Sequence, residues 1–284
     1  TSFGGYACEF SRDIAIDGSQ IYVTGEFYST TITSGTSTIT NQGYYDMFIT
    51  KYDTDGNPNW TKSSGNASDD YGKNIAVDKN GDIYVTGSFG STTISFGTTT
   101  LTNAATDNSA DIFIAKYDSN GNSIWANSAG GSKSDTGYDL TIDDDNNIYI
   151  TGDFWSSELI IGTTTLTNIG FTNIFIAKYD ANGNPIWAKS AGGIIFTSGI
   201  CTDTNGDVYL TGSFDDLFSV TFGTITLTSV GNNDIFIVKY DGDGNVIWAK
   251  KIGGTDTEIP YSITTDIYQN IIIKILQFLS KLLA

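Results

Sequence analysis

Residues 111–118 read Asp-Ile-Phe-Ile-Ala-Lys-Tyr-Asp, and the octet recurs as DMFITKYD at 46–53, NIFIAKYD at 173–180 and DIFIVKYD at 234–241. Ile112, Ile114 and Lys116 fall on one face of this stretch and Phe113, Ala115 and Tyr117 on the other, the two-residue period of a pleated strand. A tryptophan follows each copy, at Trp60, Trp125, Trp187 and Trp248, giving steps of 65 (60 to 125), 62 (125 to 187) and 61 (187 to 248) residues. A second block precedes each octet: IYVTGEF at 21–27, IYVTGSF at 83–89, IYITGDF at 148–154 and VYLTGSF at 208–214. Self-similarity at a near-fixed spacing marks a repeat architecture, in which each unit covers the apolar face of the next.

Turn residues separate the strands. DTDGN at 53–57, DSNGN at 118–122, DANGN at 180–184 and DGDGN at 241–245 place Gly where a hairpin needs positive φ and Asp where it can accept backbone amides. The same logic applies to DKNGD at 78–82 and DTNGD at 203–207. One unit thus reads as an inner strand (74–78), a second (82–89), a third (111–117) and a fourth (123–128), with a Thr- and Gly-rich hairpin at 92–102 inserted between second and third. Four antiparallel strands repeated without helices predict an all-β fold, a β-propeller of four-stranded blades with an extra hairpin per repeat. A sandwich would need no repeat, and a β-helix uses a shorter one.

The blocks DIFIAKYD, then NGN with IWAKSAGG, then DIYVTGSF, resemble the bacterial β-propeller repeat called SBBP, over roughly residues 1–270. The resemblance implies a propeller in a secreted or cell-surface protein, and it implies no activity, because propellers serve many functions.

Counting from the inner strand predicts four complete blades near 12–64, 73–129, 138–191 and 198–252, with a partial fifth at 261–270, about five blades in the chain. Residues 1–5, TSFGG, resemble the end of a fourth strand and predict a closure of the final blade. Residues 271–284 lose the pattern; Leu276, Leu279 and Leu283 share helical spacing and predict a terminal strand running into a capping or interaction helix. An incomplete blade leaves unpaired backbone groups, so a homo-oligomer is a further expectation.

Composition limits the chemistry. The 284 residues hold 14 Lys and Arg against 32 Asp and Glu, a net charge of −18, which argues against nucleic acid as a partner. The absence of histidine removes triads, histidine bases and histidine-ligated zinc sites. Cys8 and Cys201 are too few for a disulfide framework and lack metal-site spacing; Cys201 reads as a small buried thiol, with a bridge left open. No run of 18 apolar residues predicts a transmembrane helix. The chain starts at Thr1 without a leader, which reads as a processed secretory protein or a fragment.

The alternate oxygens of Asp53, Asp55 and Asn57, and of Asp241, Asp243 and Asn245, are the candidate calcium ligands, set against plain hairpin turns. The run Asp143-Asp144-Asp145 reads as a solvated loop. Lys51, Lys116, Lys178 and Lys239 are expected to lie along their blades and pair with turn aspartates, and the four repeat tryptophans to pack between blades. Trp155, outside the repeat, is the candidate ligand-binding aromatic. The symmetry breaks fall mainly in loops such as 104–110 and 194–197. The sequence therefore predicts a non-catalytic, extracellular or cell-surface propeller acting as a structural or binding module for a protein or glycan. A carbohydrate-active enzyme using acids at the propeller mouth and a subunit of a self-assembling surface structure are the alternatives.

Overall fold

A computed structural model describes residues 4–193, 195–215 and 219–277. The first repeat comprises β1 (Glu9–Asp17), β2 (Gln20–Phe27), β3 (Thr31–Ser34), β4 (Ser37–Thr40), β5 (Asp46–Asp53) and β6 (Pro58–Ser64). The second runs β7 (Asp70–Val77), β8 (Ile83–Phe89), β9 (Thr93–Phe96), β10 (Thr99–Thr102), β11 (Asp111–Tyr117) and β12 (Ser123–Ala129). The third runs β13 (Asp135–Ile142), β14 (Ile148–Phe154), β15 (Glu158–Ile161), β16 (Thr164–Thr167), β17 (Thr172–Tyr179) and β18 (Pro185–Gly193). The fourth runs β19 (Ile195–Thr202), β20 (Val208–Asp215), β21 (Ser219–Phe222), β22 (Ile225–Thr228), β23 (Asn233–Tyr240) and β24 (Val246–Ile252). A final pair, β25 (Glu258–Thr265) and β26 (Ile271–Gln277), follows.

Each full repeat is a four-stranded antiparallel sheet, in order β1-β2-β5-β6 and its equivalents, with the inserted hairpin (β3–β4 in the first) as a separate two-stranded sheet. These are propeller blades. The inner strands begin several residues before the predicted limits, at Glu9, Asp70, Asp135 and Ile195. Two compact units, Thr1–Leu140 and Thr141–Ala284, divide the chain. Within the first, Met47 and Ile49 of one blade join Ile75, Val85 and Phe113 of the next in a single core. Within the second, Ile174 and Ile176 join Leu210, Phe236 and Val238. Both faces of the octet strand are therefore covered: every residue of β11 is buried.

The Thr-Gly step of the second strand has a specific job. Thr24, Thr86, Thr151 and Thr211 donate their buried hydroxyls to the carbonyls of Phe48, Phe113, Phe175 and Phe236 at 2.7–2.9 Å. The glycine beside each threonine admits the bulged inner strand: a Cβ on Gly25, Gly87 or Gly212 would run into the carbonyl oxygen of Phe10, Tyr71 or Phe196. Bulges lie at these inner strands, between Ser11 and Asp13, Gly72 and Asn74, and Thr197 and Gly199.

The expected terminal strand is present and runs further than the leucine spacing suggests. Ile271–Gln277 is a strand paired with β25, so Leu276 belongs to a sheet and not to a helix. Its run of β-branched isoleucines favours the extended chain, which outweighs the leucine spacing. Leu279 and Leu283 lie outside the described residues. At the other end, Gly4 bridges Thr33 of its own first repeat, and residues 1–3 lie outside the described residues. Among the described residues no helix is long and apolar enough to cross a membrane.

Candidate functional site

The predicted calcium turns are satisfied by their own chain. Asp53 Oδ1 accepts the amides of Asp55 and Asn57 at 3.0 and 2.8 Å, and its Oδ2 accepts Asn57 Nδ2 at 3.0 Å. Asp241 receives Asp243, Asn245 and the Asn245 side chain in the same way, at 3.0, 2.8 and 2.9 Å. These bonds hold both carboxyls below the ordinary carboxylate range. Among the described residues no three Cys, Asp or Glu side chains are grouped to hold a metal ion. Asp143 caps a turn of the same kind, with Asn146 at φ 60° where the second and fourth repeats have Gly81 and Gly206. Cys8 is exposed, Cys201 is buried, and both are free thiols.

Two of the four recurrent tryptophan–lysine pairs reach across to the next repeat. Trp60 Nε1 and Lys51 Nζ both donate to the Ser119 carbonyl, at 3.3 and 3.0 Å. Trp187 and Lys178 donate to Gly242 at 3.1 and 3.0 Å. Each indole lies on the turn glycine, Gly121 or Gly244, where a Cβ would sit 3.1 or 2.9 Å away. Lys116 and Lys239 instead form the expected ion pairs, with Asp82 at 2.8 Å and Asp207 at 2.7 Å. Above these seams lie two matching grooves, of about 300 Å³ beside Lys62, Gly97 and Gly121 and about 410 Å³ beside Lys189, Gly223 and Gly244. Their lining repeats, so they are products of blade-on-blade packing.

A third cleft, of about 370 Å³ in the first unit, is opened by two breaks in the repeat, a longer loop and a glycine. Tyr44, Ser68, Asp69, Tyr71, Asn108 and Ser134 line it, with Gly90 and Ala110 as its small residues. The connection leading into the third strand has four residues in three repeats (42–45, 169–172, 230–233) and seven in the second (104–110). Asn103 hooks the base of this longer loop, donating to the carbonyls of Phe89 and Ser109 at 3.1 and 2.8 Å. Lys133 ties Asp107 at 2.7 Å, and Asn108 turns the chain at φ 63°. Where other repeats carry Tyr28, Trp155 or Asp215, the second has Gly90, whose amide donates to the Asp69 carbonyl at 2.8 Å. A Cβ here would sit 3.1 Å from that oxygen and 3.6 Å from the Asn108 carbonyl.

Tyr71 carries the cleft wall. Burial and the neighbouring Asp69, to which its hydroxyl hydrogen-bonds, push its phenol up to about 12. The Lys73 ammonium lies 4.2 Å from its ring centre, and Tyr45 lies 5.9 Å away. Tyr28 and Phe10 extend the cluster, at 5.3 and 6.2 Å from Tyr45. Beneath it Arg12, the chain's single arginine, pairs through Nε at 2.7 Å with Glu26, which is 1% exposed. Glu26 occupies the place of Ser88, Asp153 and Ser213 in the other repeats. Sequence reading passed over Arg12, Glu26, Lys73 and Gly90; their signal is departure from the repeat at aligned positions.

Buried aspartates fix the loops that lead into the octets and inner strands. Asp46, Asp111 and Asp234 open their octets and accept the amides of Gln42, Ala104 and Val230 at 2.8, 2.6 and 3.1 Å. Asp70 accepts Asn66 N and Ser91 Oγ at 2.8 and 2.7 Å. Burial pushes Asp46, Asp70 and Asp111 up to about 6, and Asp153 to about 8.

Trp155 lies in the second unit, at a position that is aromatic in the first repeat too, as Tyr28. Its ring packs 4.9 Å from Phe171, and both are exposed.

Comparison with known proteins agrees with the repeat. Residues 59–88 and 129–157 match the SBBP family, described as a beta-propeller repeat. The chain is 26% identical to an uncharacterized WD repeat-containing protein of Acanthamoeba polyphaga mimivirus, over 80% of this chain and 20% of that protein. It is 24% identical to the regulatory protein FlaEY of Caulobacter vibrioides, over 77% of this chain and 24% of that protein. The chain thus spans at most about a quarter of these relatives. Among solved structures it is similar to a Bacteroides caccae protein of unknown function (9% identity, 86% of this chain and 82% of that one, TM-score 0.35). It is also similar to a GH43_12 from a capybara gut metagenome (12% identity, 91% and 48%, TM-score 0.36). At these TM-scores neither carries weight for function.

Proposed function

We propose that this chain, which carries SBBP-type β-propeller repeats, is a non-catalytic binding module of a secreted or cell-surface protein, and that it recognises its ligand at the Tyr44–Tyr71 cleft. One observation carries the reading: the departures from the repeat, a lengthened loop and a glycine in place of a large or charged residue, converge on a single aromatic-lined cleft. In a self-repeating scaffold, positions that recur serve packing, and those that depart are free for recognition. Binding is favoured over hydrolysis because Asp69 is the one carboxylate lining the cleft, whereas a glycosidase needs two facing acids. The extracellular setting is what the repeat family implies. The test is ligand capture on protein and glycan arrays by the full chain and by Tyr44→Ala. Capture lost with Tyr44 supports the module, and turnover of a captured glycan opposes it.

A second reading, assembly, is favoured by the final sheet. β26 occupies the place of the second strands, each of which pairs on both sides, yet among the described residues β26 pairs with β25 alone. Ile272 and Ile275 on it are exposed. We propose that this edge accepts a strand from a second copy. Sedimentation of the chain against Ile272→Lys tests this; monomer in both opposes assembly.

A further inference from the structure

We infer that the Tyr44–Tyr71 cleft takes an uncharged saccharide of one or two rings. The inference rests on the reading of this cleft as the recognition site and specifies its ligand.

The size comes first. At about 370 Å³ the cleft lies at the small end of the roughly 300–1,000 Å³ usual for small-molecule sites, which suits a sugar of one or two rings. Its chemistry is mixed in the way a pyranose requires. Tyr44, 62% exposed, offers a ring face to the apolar C–H side of a sugar, and Tyr71 lines the cleft beside it. Around them Asp69 supplies acceptors, Asn108 both a donor and an acceptor, and Ser68 and Ser134 hydroxyls that serve as either. Sugar hydroxyls also donate and accept, so each finds a matching group without an ionic partner.

Charge then separates the candidates. An anionic sugar, phosphate or sulfate would meet Asp69 in a chain of net charge −18, with no cation in the lining. A cation would find aromatic rings and a carboxylate, but beside Tyr71 it would also meet a resident ammonium. The Lys73 ammonium lies against the Tyr71 ring at 4.2 Å, and the Tyr71 hydroxyl holds Asp69. A second ammonium would be repelled by the first at short range. A neutral polyol escapes both penalties. Rigidity helps as well: the loop is pinned by Asn103, Asp111 and the Lys133–Asp107 pair, so little ordering entropy is lost on binding.

The experiment is isothermal titration of the full chain with maltose, cellobiose, lactose and N,N′-diacetylchitobiose, with glucuronic acid, with heparin disaccharide and with a trimethyllysine peptide. The expected result is saturable binding of at least one neutral disaccharide, weakened tenfold or more by Tyr44→Ala and by Asp69→Asn, and unchanged by Trp155→Ala. Tyr44 is exposed, so its replacement leaves folding intact; a melting curve of each variant verifies this. Binding of the charged probes alone, lost with Tyr44→Ala, overturns the uncharged-saccharide class and leaves the cleft as the recognition site. Neutral binding that Tyr44→Ala does not alter overturns both. Failure of every neutral probe to bind overturns the inference.

Discussion

The seams between blades and the cleft at Tyr44 are both about 300–400 Å³ in size, yet they differ in origin. The seam beside Trp60 and the seam beside Trp187 use the same residue types at the same repeat positions: an indole on a turn glycine, a lysine and an indole N–H on one carbonyl. The cleft is opened by a lengthened loop and a glycine that its sister repeats lack, and draws on five separate segments of the first unit, while its aromatic positions Tyr44 and Tyr71 recur as Phe171 and as Phe10 and Phe196. Recurrence therefore identifies structural chemistry, and the local loss of recurrence identifies where the surface is free to recognise something else. In this chain the most regular residues, the tryptophans and lysines, are the least promising as ligand contacts.

If recurrence means structure, the largest loss of stability follows from altering a recurrent contact with no room to move. Gly87→Val drives a side chain into the Tyr71 carbonyl and against the Phe113 ring, 2.9 Å from the Cβ position. Destabilisation of more than about 3 kcal/mol in urea unfolding is expected. A pH series follows. Asp46, Asp70 and Asp111 near 6 and Asp153 near 8 all stand above the ordinary 3.8, so the folded state holds their protons more tightly than the unfolded chain. Their stabilising contribution is complete below about pH 4 and is lost as pH rises through 6, and through 8 for Asp153. The turn carboxyls of Asp53, Asp118, Asp180, Asp241 and Asp266 are held low and act oppositely, their contribution being lost as pH falls below 3.8. The melting temperature should accordingly rise from pH 8 to about pH 5 and fall below pH 4. Asp111→Asn, which places at this position the residue found at Asn173, should flatten the alkaline limb.

Smaller effects sharpen the contrast. Trp187→Phe removes the indole donor to Gly242 and part of the ring area, an expected loss of about 1–2 kcal/mol in thermal unfolding with ligand capture intact. Tyr44→Ala should do the reverse, costing less than about 0.5 kcal/mol in the same measurement while capture fails. Smallest of all, chelator should leave the melting curve unmoved, because the amides of Asp55 and Asn57 already occupy the carboxylate of Asp53. A calcium-bound turn would instead melt earlier without the ion.

Much of the scaffold was legible in the sequence because strand period and turn chemistry are local. The octet, the Asp-x-x-Gly turns and the inserted hairpin each announce themselves within a dozen residues. The purpose of the Thr-Gly step was not legible, since it answers a bulge in a strand ten or more residues away. Lys51 and Lys178 could not be told from Lys116 and Lys239 by sequence, because the choice of carbonyl or carboxylate depends on the position of a neighbouring turn. Trp155 stood out as a tryptophan, but aligned positions matter more than rarity: Gly90, the smallest residue at that position, opens the cleft. The terminal strand was legible in the β-branched run at 271–273, but its extension through Leu276 was not, because leucine spacing at 276–283 competed with it.

The most direct test of the central claim is amide chemical-shift mapping of the assigned chain with whatever ligand it captures. Perturbations should cluster at Tyr44, Ser68, Asp69, Tyr71, Gly90 and Asn108, where the repeat is broken. Perturbations centred on the recurrent seams at Gly121 and Gly244, or spread evenly over all repeats, would contradict it.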